Sequence, residues 1–345
     1  MKKIIALILA AMMIIISMSA CDSTTKDDKF YNENDPIQIV DGAGRKVSFT
    51  EPVKTVATSW GGTCGPYIFA LGVQDRLVAT NAKNDFHKLM IPNMDSMKSV
   101  GRWALDKEAL ADLSPDLFIH GVGGLDQFNN ANKVGVRALA LGLNSFEDIS
   151  NSITMLGKVF GVEERAERVN ACTAEILNLV AEKTAGLTED QKLTVVVLGE
   201  EAGTVGCDLY NAVEEMVVLA GGISVVPEDI AKKTELTNVG LETIFKWNAD
   251  SIFLTNYFTE LTVDGIMSDS SWASLNAVKN NRVYAIPCEL DSWSNATPSA
   301  CLAVLYMSME LYPELYEDID FEGIVIQFYK DVYDIEVTRE VIGLK

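Results

Sequence analysis

Histidine is scarce in this chain, which has 345 residues and two histidines, His87 and His120. Proteins that hold bare transition metals usually offer several histidine or carboxylate ligands. The sequence also lacks a GxSxG elbow, an HExxH motif and a cysteine–histidine pair at a familiar spacing. These absences argue against a zinc or manganese receptor and against the common hydrolases. A carboxylate-dependent hydrolase stays open, because acidic residues are plentiful.

Basic residues are also few, since 28 Lys and Arg stand against 49 Asp and Glu, giving a formal net charge of −21. Nucleic acid needs a basic face for its phosphates, so the composition excludes nucleic acid as a partner. The six cysteines include no CxxC pair, and an odd number remains beyond Cys21. This arrangement predicts no particular disulfide and no structural zinc site.

The N-terminal apolar run, Ile4–Ile16, is too short for a comfortable membrane span. Lys2 and Lys3 precede it, as in a signal peptide. Export permits disulfides, although nothing in the cysteine spacing fixes a pairing.

A tetrapeptide at residues 18–21, Met-Ser-Ala-Cys, follows the apolar run and resembles a bacterial lipobox, with methionine in place of the usual leucine. We therefore expect residues 1–20 to be a lipoprotein signal peptide and Cys21 to carry the lipid anchor. The polar residues 21–36 would form a flexible tether on the extracytoplasmic face of a bacterial cell membrane. A plain signal peptide with an incidental Cys21 is the alternative.

One stretch organises the rest of the chain. Between Gly161 and Gly186 a stripe of residues recurs at alternating spacings of four and three, which predicts a long helix of about 36 Å at roughly 1.5 Å per residue. The stripe is Val162, Ala166, Val169, Thr173, Ile176 and Val180. We expect residues 162–187 to form a rigid linker helix between two α/β lobes, residues 37–161 and 188–345. An ordinary surface helix of one domain is the alternative.

Strand-like and helical runs alternate on both sides of this helix, which predicts parallel sheets in both lobes. The main predicted strands are Val53–Thr58, Leu77–Thr80, Asp116–His120, Val136–Leu141, Leu193–Leu198, Ser251–Thr255 and Arg282–Ile286. Ser145 and Asp148 form a capping box that opens a helix. Pro298–Leu311 is predicted as a terminal helix with Pro298 in its first turn.

One segment in each half of the chain follows the same residue pattern. Residues 108–120 and 242–254 each begin with a glutamate in a short helix, place an aspartate eight residues later and continue into a buried strand. The pattern fits two similar lobes related by an approximate two-fold axis, with Glu108 and Glu242 at equivalent positions.

Several segments, in this order, resemble the class III substrate-binding proteins of ABC importers, which deliver iron-siderophores, cobalamin or haem. They lie between Ile37 and Lys345 and comprise residues 40–47 (VDGAGRKV), 52–56, 71–78, 100–101 with 108–117, and 277–284. The resemblance implies two lobes on one long rigid helix, with a shallow cleft between them. It implies a monomeric, non-enzymatic carrier without a resident cofactor, which delivers a large metal chelate or corrinoid to a permease dimer with its ATPase subunits.

The resemblance places ligand contacts in the loops that follow the strands, where large flat ligands gain affinity from aromatic faces and a few polar anchors. The candidates in the first lobe are Trp60, Gly61, Gly62, Tyr67, Arg102, Trp103 and His120. Those in the second lobe are Glu200, Tyr210, Tyr257 and Trp293. We expect Trp103 and Trp293 to flank the ligand. Packing roles for the tryptophans, an ion pair for Arg102 and a structural role for His120 are the alternatives.

The same resemblance implies that Glu108 and Glu242 pair with arginines of the two permease subunits. A local role in the first turn of each helix is the alternative. The loops of the second lobe carry acidic residues with no Arg or Lys among them. The acidic residues are Glu200, Glu201, Asp208, Glu289 and Asp291.

A highly anionic chelate would want several cations, so the acidic loops favour a neutral or weakly charged ligand, such as a corrinoid or a hydroxamate chelate. Haem, with an axial residue such as His87 or Met90, and a bare zinc or manganese ion are alternatives within the same class of protein. An exported carboxylate-dependent hydrolase is the alternative of another class.

Overall fold

A computed structural model describes residues 30–101, 104–199, 203–205, 212–231, 237–255 and 261–344. The predicted signal peptide, Cys21 and most of the predicted tether lie outside these ranges. Within them, no helix combines the length and the apolar character that crossing a membrane requires.

The elements before the long helix alternate between strands and helices. They are β1 (Ile37–Val40), β2 (Lys46–Phe49), β3 (Val56–Thr58), α1 (Gly61–Ala70), β4 (Leu77–Thr80), α2 (Asp85–Met90), α3 (Lys107–Leu113), β5 (Leu117–Gly121), α4 (Leu125–Lys133), β6 (Arg137–Leu141) and α5 (Phe146–Phe160). β1 and β2 form an antiparallel hairpin, and the other four strands form a parallel sheet in the order β4-β3-β5-β6.

The long helix α6 (Glu163–Thr184) leads into the second half. Its elements are β7 (Thr194–Leu198), β8 (Thr204–Val205), α7 (Ala212–Leu219), β9 (Ile223–Ser224), α8 (Glu228–Ala231), β10 (Thr237–Asn238), α9 (Leu241–Trp247), β11 (Ser251–Leu254), α10 (Val263–Ser268), α11 (Asn276–Lys279), β12 (Val283–Ala285), α12 (Ala300–Leu311), α13 (Phe321–Tyr333) and α14 (Arg339–Ile342). β9, β7, β11 and β12 run parallel, while β8 and β10 add an antiparallel edge. The predicted α/β class with two parallel central sheets is confirmed.

The internal repeat has a physical basis at the start of each sheet. Asp116 Oδ2 accepts hydrogen bonds from the N–H groups of Lys54 and Thr55 and from the Thr55 hydroxyl, at 2.9–3.0 Å. Asp250 Oδ2 accepts from the N–H and the hydroxyl of Thr194 at 3.1 and 2.7 Å. Each aspartate N–H donates back to the same threonine hydroxyl. The shared aspartate therefore ties the entry of one strand to that of its parallel neighbour in both halves.

Helix α6 confirms the predicted stripe. Its buried residues are Ala166, Val169, Thr173, Ile176 and Val180, and Val162 is the residue before the first turn. α6 packs against α5 from the first half and against α12 and α13 from the second.

Hydrogen bonds from Arg165 of α6 and from Tyr67 of α1 also join the two halves. Arg165 donates to the carbonyl oxygens of Ala70 and Val332, at 2.8 and 2.6 Å, and so joins the end of α1 to α13. The Tyr67 hydroxyl donates to the carbonyl oxygen of Ala296 at 2.9 Å. Because these bonds are buried or half-buried and cross between the halves, they oppose a hinge motion.

The C-terminal helices differ from the prediction. α12 begins at Ala300 with Ser299 as its N-cap, so Pro298 precedes the helix and the prediction of its place in the first turn was wrong. α12 is also not terminal, because α13 and α14 follow. α13 carries a clear start signal, since the Asp320 side chain accepts from the N–H of Gly323 at 2.9 Å.

Replacing Tyr67 with Phe tests the bond between the halves. The change leaves the buried Ala296 carbonyl without its partner, so we expect the free energy of unfolding to fall by about 1–3 kcal/mol. Chemical denaturation at neutral pH measures it. Tyr31→Phe is the matched control, because the Tyr31 hydroxyl donates to Gln38 in an exposed hydrogen bond. Equal stability losses in the two variants would contradict the assignment.

Candidate functional site

One loop of the second half contacts both α1 of the first half and the carboxyl end of β11. Tyr67 lies on α1, directly after β3, and bonds Ala296 of the second half. The loop that holds Ala296 also covers the end of β11, where the Ser294 hydroxyl lies 3.4 Å from the carbonyl oxygen of Thr255. Loops at the carboxyl ends of parallel strands are where open α/β sheets bind ligands.

Trp60 and His120 form the aromatic part of this region. Trp60 follows β3 and His120 lies near the end of β5, and their rings stack with centroids 5.1 Å apart and planes 11° apart. His120 is buried, whereas Trp60 is half-buried. Trp60 has φ 61° and ψ 41°, a left-handed conformation that is rare for a bulky residue. Strain of this kind costs about 1–3 kcal/mol and persists where the surrounding structure requires it.

Two glycines make room for this stack. A Cβ atom on Gly121 would lie 2.7 Å from Trp60 Cζ3, and one on Gly124 would lie 2.3 Å from His120 Nδ1. Both contacts are shorter than real Cβ atoms show, so a side chain at either position would push a ring of the stack out of place. We call Trp60 and His120, seated on Gly121 and Gly124, the aromatic platform.

His120 contributes a neutral ring to the platform. Burial lowers the pKa of His120 below its ordinary value of 6.5, although the hydrogen bond to the Gly121 carbonyl acts in the opposite direction. Nδ1 lies 2.9 Å from that carbonyl oxygen, which can only accept, so Nδ1 carries the proton. The His120 ring beneath Trp60 is therefore uncharged at neutral pH.

Gly61 and Gly62 open α1 beside the platform. Gly61 is buried, its N–H donates to Asn81 at 2.7 Å, and His87 Nε2 lies 3.0 Å from its carbonyl oxygen. Burial lowers the pKa of His87 to about 4. His87 thus packs against the first turn of α1. Because its ring is buried, it is poorly placed to be an axial ligand of haem.

Tyr67 and Trp293 occupy packing positions. Tyr67 is completely buried and uses its hydroxyl on Ala296. Trp293 is 1% exposed, and its indole N–H donates to the Tyr329 hydroxyl at 2.9 Å. Neither ring has a free face in this conformation, so we leave both out of the proposed ligand contacts.

A buried polar cluster next to Trp293 is missing from the sequence prediction. The Ser299 hydroxyl donates to the Asp291 carboxylate and accepts from the Tyr333 hydroxyl at 2.7 Å. Burial raises the pKa of the Asp291 carboxyl to about 6, against the effect of Ser299. Because it is buried, Asp291 anchors its loop to α13 through Ser299 and Tyr333 and does not lie on an exposed ligand surface. The sequence feature that could have indicated this cluster is the four-residue spacing of Tyr329 and Tyr333, which places both on one side of α13.

Five of the predicted contacts, Arg102, Trp103, Glu200, Tyr210 and Tyr257, lie outside the described residues. Of the remaining candidates, the structure brings together Trp60, His120 and the glycines at the start of α1.

Glu108 and Glu242 occupy matching positions. Each is the second residue of a seven-residue helix, α3 or α9, and each is exposed. Both helices end at a residue in the left-handed conformation, Ser114 with φ 44° and Asn248 with φ 45°. Since α3 and α9 each lead back into a parallel strand, both glutamates lie toward the carboxyl edge of their sheet.

A groove between α6 and α13, of about 980 Å³, is a separate concavity. Its walls include Ile176, Leu179, Ile324 and Phe328. It lies on helix surfaces away from the strand ends, so it is not the site described above.

No group of three His, Cys, Asp or Glu side chains suited to a metal ion occurs among the described residues. Cys64, Cys172 and Cys301 are free thiols, and burial raises the pKa of each. These thiols are accordingly protonated at neutral pH.

Comparisons with known proteins agree with this architecture. The family described as "Periplasmic binding protein" matches residues 65–290. The uncharacterized ABC transporter substrate-binding lipoprotein YvrC of Bacillus subtilis is 24% identical, over 91% of this chain and 97% of YvrC. The iron(3+)-hydroxamate-binding protein YxeB of the same organism is 22% identical, over 82% of this chain and 89% of YxeB.

A solved structure gives the same result for the fold. The molybdate-binding protein MolA of Haemophilus influenzae, bound to molybdate, superposes with a TM-score of 0.73 over 87% of this chain and 99% of that chain, at 18% identity. Substrate-binding proteins of this kind work outside the cytoplasm with a permease and an ATPase. The chain belongs to the periplasmic binding protein family, in its class with two lobes on one long helix, and is the substrate-binding component of an ABC transporter rather than an enzyme.

Proposed function

We propose that this protein is a lipid-anchored receptor that binds a neutral or weakly charged metal chelate, of the ferric hydroxamate type, or a corrinoid. The observation that carries the proposal is the uncharged aromatic platform at the carboxyl ends of β3 and β5. Stacking on such a surface suits a large ligand with apolar faces.

The platform favours these ligands over a small oxyanion such as the molybdate of MolA. An oxyanion needs converging cations or N–H donors. In the described part of the site the His120 and Trp60 rings carry no charge, and the Gly61 N–H is already used by Asn81. The hydroxamate ligand named for YxeB fits the platform better. A corrinoid, which is larger and equally able to stack, is the second candidate.

Mass spectrometry and absorbance of the ligand that co-purifies from native membranes test the ligand class. A ferric hydroxamate or a corrinoid supports the proposal, and each has a distinct visible spectrum. Co-purified molybdate or haem would reject it.

Trp60→Ala tests the platform directly. We expect affinity for ferrioxamine B or cyanocobalamin to fall by roughly 1–3 kcal/mol, because an aromatic contact is lost. Titration followed by tryptophan fluorescence measures it. The matched control is Trp293→Phe, which removes the N–H donor to Tyr329. It should lower the melting temperature and leave affinity unchanged. The opposite pattern would place the ligand against Trp293 instead.

We further propose that Glu108 and Glu242 guide docking to the two permease subunits. Two subunits facing two similar lobes would account for a carboxylate in the same register of both halves. Glu242 forms an exposed ion pair with Lys246, at 2.9 Å. Such a pair contributes little to stability, so its carboxylate stays available to a partner.

A double variant tests docking. Glu108→Ala with Glu242→Ala should leave ligand affinity and melting temperature nearly unchanged, while uptake by cells falls sharply through weaker orientation and encounter. The control is Glu163→Ala with Glu164→Ala, which removes two carboxylates from the first turn of α6. If the Glu108→Ala, Glu242→Ala variant takes up ligand as well as the wild type at equal expression, the docking role is rejected. The two glutamates would then serve only to stabilise the first turns of their helices.

Lipid attachment at Cys21 completes the proposal, and the name of YvrC, a lipoprotein, supports it. Cys21→Ala should move the protein from the membrane fraction to the soluble extract or the medium, because the acyl chains provide the anchor. Cys172→Ser is the control and should stay with the membrane. Membrane retention of Cys21→Ala would reject the anchor.

A further inference from the structure

The aromatic platform rests on a ring from another helix. Phe128, on α4, is completely buried, and its ring meets His120 edge-to-face with centroids 5.9 Å apart and planes 89° apart. The guanidinium of Arg45 lies on the same phenyl ring, with Cζ 4.2 Å from its centroid. A cation this close to an aromatic face is held by electrostatic attraction and dispersion. Four side chains are therefore in sequential contact, from Arg45 through Phe128 and His120 to Trp60.

Arg45 is itself held in one orientation. Its Nε and Nη2 donate to Asp41 Oδ2 at 3.0 and 2.6 Å, and Nη2 also donates to the carbonyl oxygen of Ala138 at 3.0 Å. The Asp41 side chain is fully buried and accepts further hydrogen bonds from the N–H groups of Ala43, Arg45 and Ala140. The bonds to Ala138 and Ala140 attach the pair to β6, the neighbour of β5. The Arg45 side chain is half-buried, and its hydrogen bonds to the Asp41 carboxylate and the Ala138 carbonyl hold the plane of its guanidinium.

The simplest role for Asp41 and Arg45 is to close the β1–β2 turn, and the hydrogen bonds within residues 41–45 serve that role. The stacking of the guanidinium on Phe128 adds nothing to the turn. It does restrict the tilt of the phenyl ring, and through the edge-to-face contact it restricts the plane of His120.

We propose that Arg45 is a positioning residue for the ligand site, which sets the plane of His120 through Phe128 and thereby the orientation of the Trp60 face. The chain of contacts is independent of any ligand, and only its use by a ligand rests on the proposed function.

The imidazole signals of the two histidines test the proposal in the ligand-free full chain. With ¹⁵N-labelled histidine, His120 and His87 give separate ring resonances, and His87 is an internal reference because its buried ring packs against Phe69. Arg45→Met should shift the His120 ring resonances and broaden them, while those of His87 stay in place. A role confined to stability would lower the melting temperature without this selective shift.

Arg76→Met is the matched control. Arg76 donates to the carbonyl oxygens of Val53 and Phe160, both at 2.8 Å, and its guanidinium lies 5.6 Å from the Phe160 ring centroid. It thus repeats the chemistry of Arg45 away from the platform. Its replacement should cost stability and leave the His120 signals unchanged.

Arg45→Lys covers the case in which the methionine variant does not fold. Lysine keeps a charge for Asp41 but lacks the planar face, so a smaller shift of His120 in the same direction is expected. Unchanged His120 signals in the folded Arg45 variants, or equal shifts in Arg76→Met, would overturn the proposal. The ligand role of the platform is tested separately. If Arg45→Met shifts the His120 signals selectively but Trp60→Ala binds ferrioxamine B and cyanocobalamin normally, the contact chain stands and the ligand role of the platform is rejected.

Discussion

One apolar core runs through both halves of the molecule, and the other features depend on it. Val56 and Leu117 of the first sheet belong to the same buried cluster as Val169 of α6 and Val195 and Phe253 of the second sheet. Opening the halves would expose part of this cluster at about 25 cal/mol per Å² of apolar surface. Arg165 and the Tyr67 hydroxyl add directional bonds across the same boundary. The protein is therefore built to hold its two sheets at a fixed separation.

A fixed separation changes how a ligand can be recognised. A receptor that closes around its ligand can form contacts after binding, whereas a rigid one must present its surface in advance. In the proposed site, the left-handed Trp60, Gly121 and Gly124, and the Arg45–Phe128 contact would all preorganise the Trp60 ring for a ligand. The backbone strain at Trp60 is thus offset by contacts that exist before any ligand arrives.

Local patterns in the sequence predicted most of the framework. The spacing of the α6 stripe, the parallel strands and the shared register of residues 108–120 and 242–254 depend on side-chain periodicity and on contacts within one supersecondary unit. The roles of Trp293 and Asp291 could not be predicted this way, because the packing of α13 against the residues before α12 brings Tyr329, Tyr333 and Ser299 to them. A tryptophan in a loop that follows a strand is compatible with a ligand face and with a core position, and the sequence does not contain the difference. His120 was ambiguous for the same reason, since its stack with Trp60 joins the ends of two separate strands.

Rigidity also constrains how the permease could distinguish a loaded receptor from an empty one. Glu108 and Glu242 lie on α3 and α9, and the strands that follow these helices are tied to their neighbours by the aspartate–threonine bonds at the strand entries. If the core keeps the sheets at one separation, the distance between the two carboxylates is the same with and without ligand. Docking through these residues then sets orientation and encounter rate but reports nothing about occupancy. On this proposal, a signal of occupancy would come from the ligand itself or from loops that contact it.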